Sequence, residues 1–139
     1  LTPNHQFFHQ YLQISRLFTK KLNEQLLQYG LFHSQWSIVY FLKTKGPSTL
    51  VEIGEYLNVE KPTITRTVQR LNEGGFIQQV PGKDRRVKRI QLTEAGEEVY
   101  TSCREAVTEF EYKVLDGISE QEKEEVFQTL TKIYVNLEK

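Results

Sequence analysis

The sequence predicts a mainly helical fold interrupted once by a short antiparallel hairpin, and three observations predict it. Apolar residues recur at helical spacing along most of the chain, and Gly- or Pro-bearing stops cut that pattern into pieces of ordinary helix length. Only the stretch after Gly74-Gly75 changes character, to β-branched and aromatic runs split by turn residues. With 139 residues, 38% of them apolar and 26% charged, the chain has the size and composition of one globular protein able to bury a core.

From about His5 to Tyr29, Phe7, Phe8, Tyr11, Leu12, Ile14, Leu17, Phe18, Leu22, Leu26 and Leu27 recur over more than one helical face, so this helix is expected to be covered from more than one side. Gly30 ends it. Ser34 is expected to open the second helix, "SQWSIVYFLKTKG", which Gly46 and Pro47 close. Thr49 with Glu52 makes a T-x-x-E capping box for a short third helix, whose Leu50, Ile53 and Leu57 form its inward stripe. Pro62 opens the fourth, because the N–H it lacks has no helical partner in a first turn, and Gly74-Gly75 stops it. "FIQQV" and "VKRIQLT" flank the turn chemistry of "PGKDRR" and read as a hairpin. Thr93 caps a long helix with Val99, Cys103, Ala106, Val107, Phe110 and Val114 on one stripe. After Asp116-Gly117, the box Ser119/Glu122 opens a last helix with Val126, Phe127, Leu130, Ile133, Tyr134 and Leu137 inward.

No run approaches the roughly 18 apolar residues that span a bilayer, and "LTPNHQFF" has neither a basic nor an uninterrupted apolar region, so the expected location is cytoplasmic, away from membranes. The single Cys103 cannot close an intramolecular disulfide. The formal net charge of zero conceals a division: residues 1–60 carry 5 Lys/Arg against 4 acids, residues 61–90 carry 8 against 2, and residues 91–139 carry 5 against 12. A basic middle beside an acidic end fits a polyanionic partner.

The order helix, helix, short turn, helix, hairpin is that of a winged helix-turn-helix, in which the third of these helices enters the major groove of DNA. Ile64, Val68 and Leu71 fall on its inner side at about 100° per residue. Pro62, Thr65, Arg66, Gln69 and Glu73 fall opposite, flanked by Thr63 and Arg70. Arg66 and Gln69 are long enough for base edges, Arg70 for base or phosphate, and the threonines for phosphate oxygens. In the wing, Lys83, Arg85 and Arg86 can reach the minor groove, with Lys88 behind them and Asp84 placed to orient the Arg86 guanidinium.

"LVEIGEYLNVEKPTITRTVQRLNEGGFIQQVPGKDRRVKRIQLTEAG" resembles the MarR (multiple antibiotic resistance regulator) family in its T-R, the L-x-x-x-G-x-I exit, the D-x-R of the wing and the L-T-x-x-G that opens the next helix. One departure is Glu60-Lys61, where the family more often has a small polar cap. The resemblance implies a mainly α protein with a winged helix-turn-helix region at 31–92, a small antiparallel β wing, and a helical dimerisation region at 1–30 and 93–139. It implies a homodimeric repressor on a pseudo-palindromic DNA operator, with Arg86 in the minor groove and a small aromatic or phenolic effector modulating affinity. Tyr11, Arg16, Trp36, Tyr40 and Tyr100 could line the effector cavity, Arg16 receiving a carboxylate.

His5 and His9 stand four apart, at metal-ligand spacing, but no third ligand is evident, so neither metal nor cofactor is expected. The apolar neighbours of Cys103 make it a packing thiol rather than a sensor. No G-x-S-x-G, phosphate loop or metal-spaced His/Asp set points to catalysis. The alternative to DNA is a winged-helix interaction module whose basic wing docks an acidic protein.

Overall fold

The computed structural model describes residues 2–81 and 87–139. In chain order it contains α1 (Pro3–Leu26), α2 (His33–Lys45), α3 (Leu50–Leu57), α4 (Lys61–Glu73), β1 (Ile77–Gln79), β2 (Ile90–Leu92), α5 (Glu94–Val114) and α6 (Glu120–Leu137). The described residues up to Thr108 form one compact unit, and Glu109–Lys139 form a second. The mainly helical architecture with one small sheet matches the sequence expectation.

α1 starts two residues before the expected His5, because Thr2 caps it through its hydroxyl, which accepts from the His5 N–H at 3.2 Å. A single 3₁₀ turn at Leu27–Tyr29 ends at Gly30, whose φ of 76° only glycine adopts cheaply. Ser34 does not open α2. The cap is Phe32, whose N–H donates to Gln35 Oε1 at 2.9 Å, while the His33 N–H donates to Asn23 Oδ1 of α1 at 2.7 Å. An acceptor from ten residues upstream does the work assigned to a local serine, and ties the start of α2 to α1.

α2 is buried on most of its circumference, through Gln35, Trp36, Ile38, Val39, Phe41 and Leu42. It forms the centre of the first unit. Thr49 caps α3 as expected, accepting from the Glu52 N–H at 3.1 Å, and Ile53 is fully buried beneath it. Where α3 turns into α4, Gly54 approaches so closely that an added Cβ would stand 3.1 Å from the Val59 carbonyl. That approach is what lets two short helices share one corner.

The sheet is narrower than the two apolar runs suggested. β1 and β2 pair antiparallel, Ile77 opposite Leu92 and Gln79 opposite Ile90, and Val80 N–H adds a bond to the Arg89 carbonyl at 2.9 Å. A third partner comes from the loop between α2 and α3, where Ser48 and Ile90 exchange backbone bonds of 3.1 and 2.9 Å. Ile77 and Ile90 are buried, Gln78 and Gln79 are exposed, and Gln91 and Leu92 are half-buried, so each short strand is anchored by one isoleucine. Thr93 then caps α5, accepting from the Gly96 N–H at 3.1 Å and donating to the Gly75 carbonyl at 2.6 Å.

In the second unit the Ser119/Glu122 box is formed in both directions at 3.1 Å. No residue of α6 is buried. Val126, Phe127, Leu130 and Tyr134, placed inward by periodicity, all face solvent in the single chain, Phe127 at 67% exposure. Along α1 the same holds of Phe7, Phe8, Tyr11, Leu12, Ile14 and Leu17, while only Leu22 and Leu26 are buried.

Candidate nucleic-acid interface

The outward face of α4 follows from what holds its inward face. Ile64 and Leu71 are buried, and between them lies Thr67 rather than Val68, which is only half-buried. A threonine can be buried there because its hydroxyl donates to the Thr63 carbonyl at 2.9 Å, one turn back, leaving its methyl to pack. The helix is thereby rotated so that Pro62, Thr65, Arg66, Gln69 and Arg70 are exposed and Thr63 lies half-buried at the edge. Arg66 leans toward the first turn, its Nη2 3.4 Å from Thr63 Oγ1. Four long or hydroxyl-bearing side chains thus stand on one solvent-facing side of a helix whose other side is locked into the core.

At the wing, Lys83, Asp84, Arg85 and Arg86 lie outside the described residues. Lys88 is exposed at the base of the hairpin. Arg89 follows it and is engaged internally: its Nη1 donates to Glu52 Oε1 of α3 at 2.9 Å. The same carboxylate oxygen accepts from the Thr49 hydroxyl at 3.1 Å. Thr49 first, and Arg89 after it, hold the Glu52 carboxyl below the usual range.

Residues 31–96 match the winged helix DNA-binding domain family. The HTH-type transcriptional regulator YwoH of Bacillus subtilis (strain 168) is 45% identical over 121 residues, 87% of this chain and 88% of that protein. The structure of Staphylococcus aureus MarR in complex with salicylate and kanamycin is 27% identical, with a TM-score of 0.86 over 96% of this chain and 91% of that one. This chain belongs to the MarR family of transcriptional regulators. The S. aureus MepR–DNA complex, 21% identical, shares the fold at a TM-score of 0.86 over 98% of this chain and 99% of that one. As a MarR-family protein the chain is a DNA-binding transcriptional regulator, and the winged helix-turn-helix is the part that carries that activity. Among the described residues no helix is long and apolar enough to cross a membrane.

Of the residues expected to line an effector cavity in this MarR-family chain, three come together. Trp36 of α2 stacks on Tyr100 of α5 at 5.6 Å and 14°, and meets Tyr40 at 6.0 Å. Tyr11 and Arg16 are exposed on α1 and enter none of these ring contacts. The arginine on the rings is Arg104, which the sequence reading missed, its guanidinium carbon 5.8 Å from the Trp36 ring and 5.9 Å from Tyr40. The i, i+4 spacing of Tyr100 and Arg104 was the available signal, since it puts both on one side of α5. Lys43 sits 5.6 Å over the Tyr100 ring and pairs with Glu97 at 2.7 Å.

Cys103 is fully buried on α5, and burial pushes its thiol up to about 11. His5 and His9 are exposed on α1. Among the described residues no group of three or more His, Cys, Asp or Glu side chains is placed to hold a metal.

Proposed function

We propose that this MarR-family regulator binds a pseudo-palindromic operator as a homodimer, represses transcription from it, and is released by a small aromatic or phenolic effector. The observation that carries the reading is the outward side of α4, where Thr65, Arg66, Gln69 and Arg70 are exposed and backed by a buried stripe. Arg66 and Gln69 read base edges, the threonines and Arg70 hold phosphates, and Lys83, Arg85, Arg86 and Lys88 add minor-groove and backbone contacts, with Asp84 orienting Arg86.

A second copy of the chain covers the apolar residues that α1 and α6 leave in water. Phe7, Phe8 and Leu12, and separately Phe127 and Leu130, are each at least 40% exposed, far more large apolar surface than a lone soluble chain ordinarily leaves uncovered. Two winged units then read two half-sites. The salicylate in the S. aureus MarR structure supports an aromatic acid as effector class. Trp36, Tyr40 and Tyr100 offer it ring faces, with Tyr11 and Arg16 at α1 as further contacts. Such a ligand acts by preferring a dimer whose recognition helices are spaced for another geometry, shifting the population off DNA.

Titration of a fluorescent duplex from the promoter of its own gene, at a series of salt concentrations, tests the reading. With roughly three to five phosphate contacts per subunit, log K falls against log salt with a slope of about −5 to −9. A slope near zero refutes phosphate-driven binding.

A further inference from the structure

Arg89 and Glu52 join two elements that the strand ladder does not connect. Arg89 lies at the base of the hairpin: its carbonyl accepts from the Val80 N–H at 2.9 Å, and the next residue, Ile90, exchanges two backbone bonds with Ser48. All of these are bonds along strand edges. The side chain of Arg89 instead reaches the first turn of α3, where Glu52 Oε1 receives it at 2.9 Å. Glu52 is itself fixed there, its oxygen also taking the Thr49 hydroxyl at 3.1 Å. The helix that precedes the recognition helix is therefore bonded to the strand that carries the wing.

We propose that Glu52 and Arg89 are a positioning pair for DNA binding: Arg89, although it belongs to the basic 61–90 segment, holds no phosphate, and Glu52 sets where the wing leaves the domain relative to the helix-turn-helix. The proposal rests on the reading that the wing touches DNA. Both side chains are about half exposed, at 45% and 48%, so the pair is a surface ion pair and its loss costs no more than about fivefold in affinity. Charge counting gives the opposite sign for Glu52. Removing an acid next to a basic surface strengthens attraction to a polyanion, whereas releasing Arg89 lets the wing's base shift and weakens binding.

The experiment is a double-mutant cycle on DNA affinity, read by fluorescence anisotropy on the tightest duplex selected from a random library. Glu52→Gln, Arg89→Gln and the double variant are compared with Arg86→Ala, at a temperature where circular dichroism shows all four folded. Glu52→Gln and Arg89→Gln each weaken binding about two- to fivefold, the double variant is no weaker than either alone, and Arg89→Gln leaves the salt slope unchanged. A pair that only stabilises the fold would lower the melting temperature and leave affinity in the folded state as it was, which overturns the proposal. So do tighter or equal binding by Glu52→Gln, multiplying effects in the double variant, or a slope reduced by about 0.9 for each subunit's lost contact in Arg89→Gln. If Arg86→Ala weakens binding while Glu52→Gln does not, only the positioning role falls. If Arg86→Ala also has no effect, the wing reading falls, and the positioning role with it.

Discussion

Gly96→Ala is expected to destabilise this protein although it places alanine in a helix. At an open helical site alanine gains about 1 kcal/mol over glycine. Gly96 is not open. It lies buried in the first turn of α5, and a Cβ there would collide with the Phe76 carbonyl oxygen and stand 3.2 Å from Leu92 Cβ. The carbonyl cannot simply retreat, because it accepts the Thr93 N–H at 3.0 Å at the cap of α5. Relieving the clash therefore means overpacking, at about 1–3 kcal/mol, together with weakening a buried hydrogen bond, at about 1–3 kcal/mol when lost, and the two add in part. After the propensity gain the net loss is about 1–3 kcal/mol, which for a chain of this length lowers Tm by roughly 3–10 °C. Thermal unfolding by circular dichroism at one fixed protein concentration measures it, with the exposed Ser102→Ala as a comparison expected within about 0.5 kcal/mol of the parent. A Gly96→Ala protein as stable as the parent, or more so, would show that α5 does not dock on the β1 approach as described.

Replacing Arg66 or Gln69 by alanine should cost about 1–3 kcal/mol of operator affinity and relax preference at particular base pairs, as selection from a random duplex pool would report. Asp84→Ala should weaken binding although it removes a negative charge, and tighter binding in anisotropy would show that the aspartate orients nothing. Light scattering at micromolar concentration should give twice the chain mass for the parent and the single mass for Phe127→Glu, whose charge would have to be buried between copies; an unchanged mass would exclude α6 from the interface. Because Cys103 has a thiol raised to about 11 from an ordinary 9.0, folding favours its protonated form. That stabilisation is complete below pH 9 and is lost as pH rises toward 11. At neutral pH a thiol reagent should label the native protein far more slowly than the urea-unfolded chain, and equal rates would contradict a buried thiol.

Where the signal is local, the sequence was legible. The caps at Thr49 and Ser119 need only three residues of context: Thr49 accepts the Glu52 N–H, and the Ser119/Glu122 box closes in both directions. The outward placement of Arg66 and Gln69 needed only the helical period and two buried anchors, Ile64 and Leu71. What was missed depends on groups far away in sequence or on satisfied hydroxyls. Phe32 rather than Ser34 caps α2 because Asn23 arrives from another helix. Thr67 enters the core because its hydroxyl finds a carbonyl one turn back. An arginine was expected beside the aromatic rings, and Arg16 was named, but only the packing of α2 against α5 shows Arg104 there. The apolar stripe of α6 was visible as a period, yet a period cannot say whether its cover comes from the same chain or another.

The Trp36–Tyr100 stack and the Lys43–Glu97 pair bear on how such a regulator can be re-engineered. A boundary at residue 92 is natural in the sequence, where the wing ends and a new helix begins. Yet α2, the central helix of the winged unit, is bound to α5 through residues 97, 100 and 104, and the compact unit runs to Thr108. A chimera that exchanges the reading head at residue 92 would strip Trp36 of its stacking partner and Lys43 of its counter-charge. The transplantable cassette is longer than the motif that defines it, and should carry the first half of α5 with it.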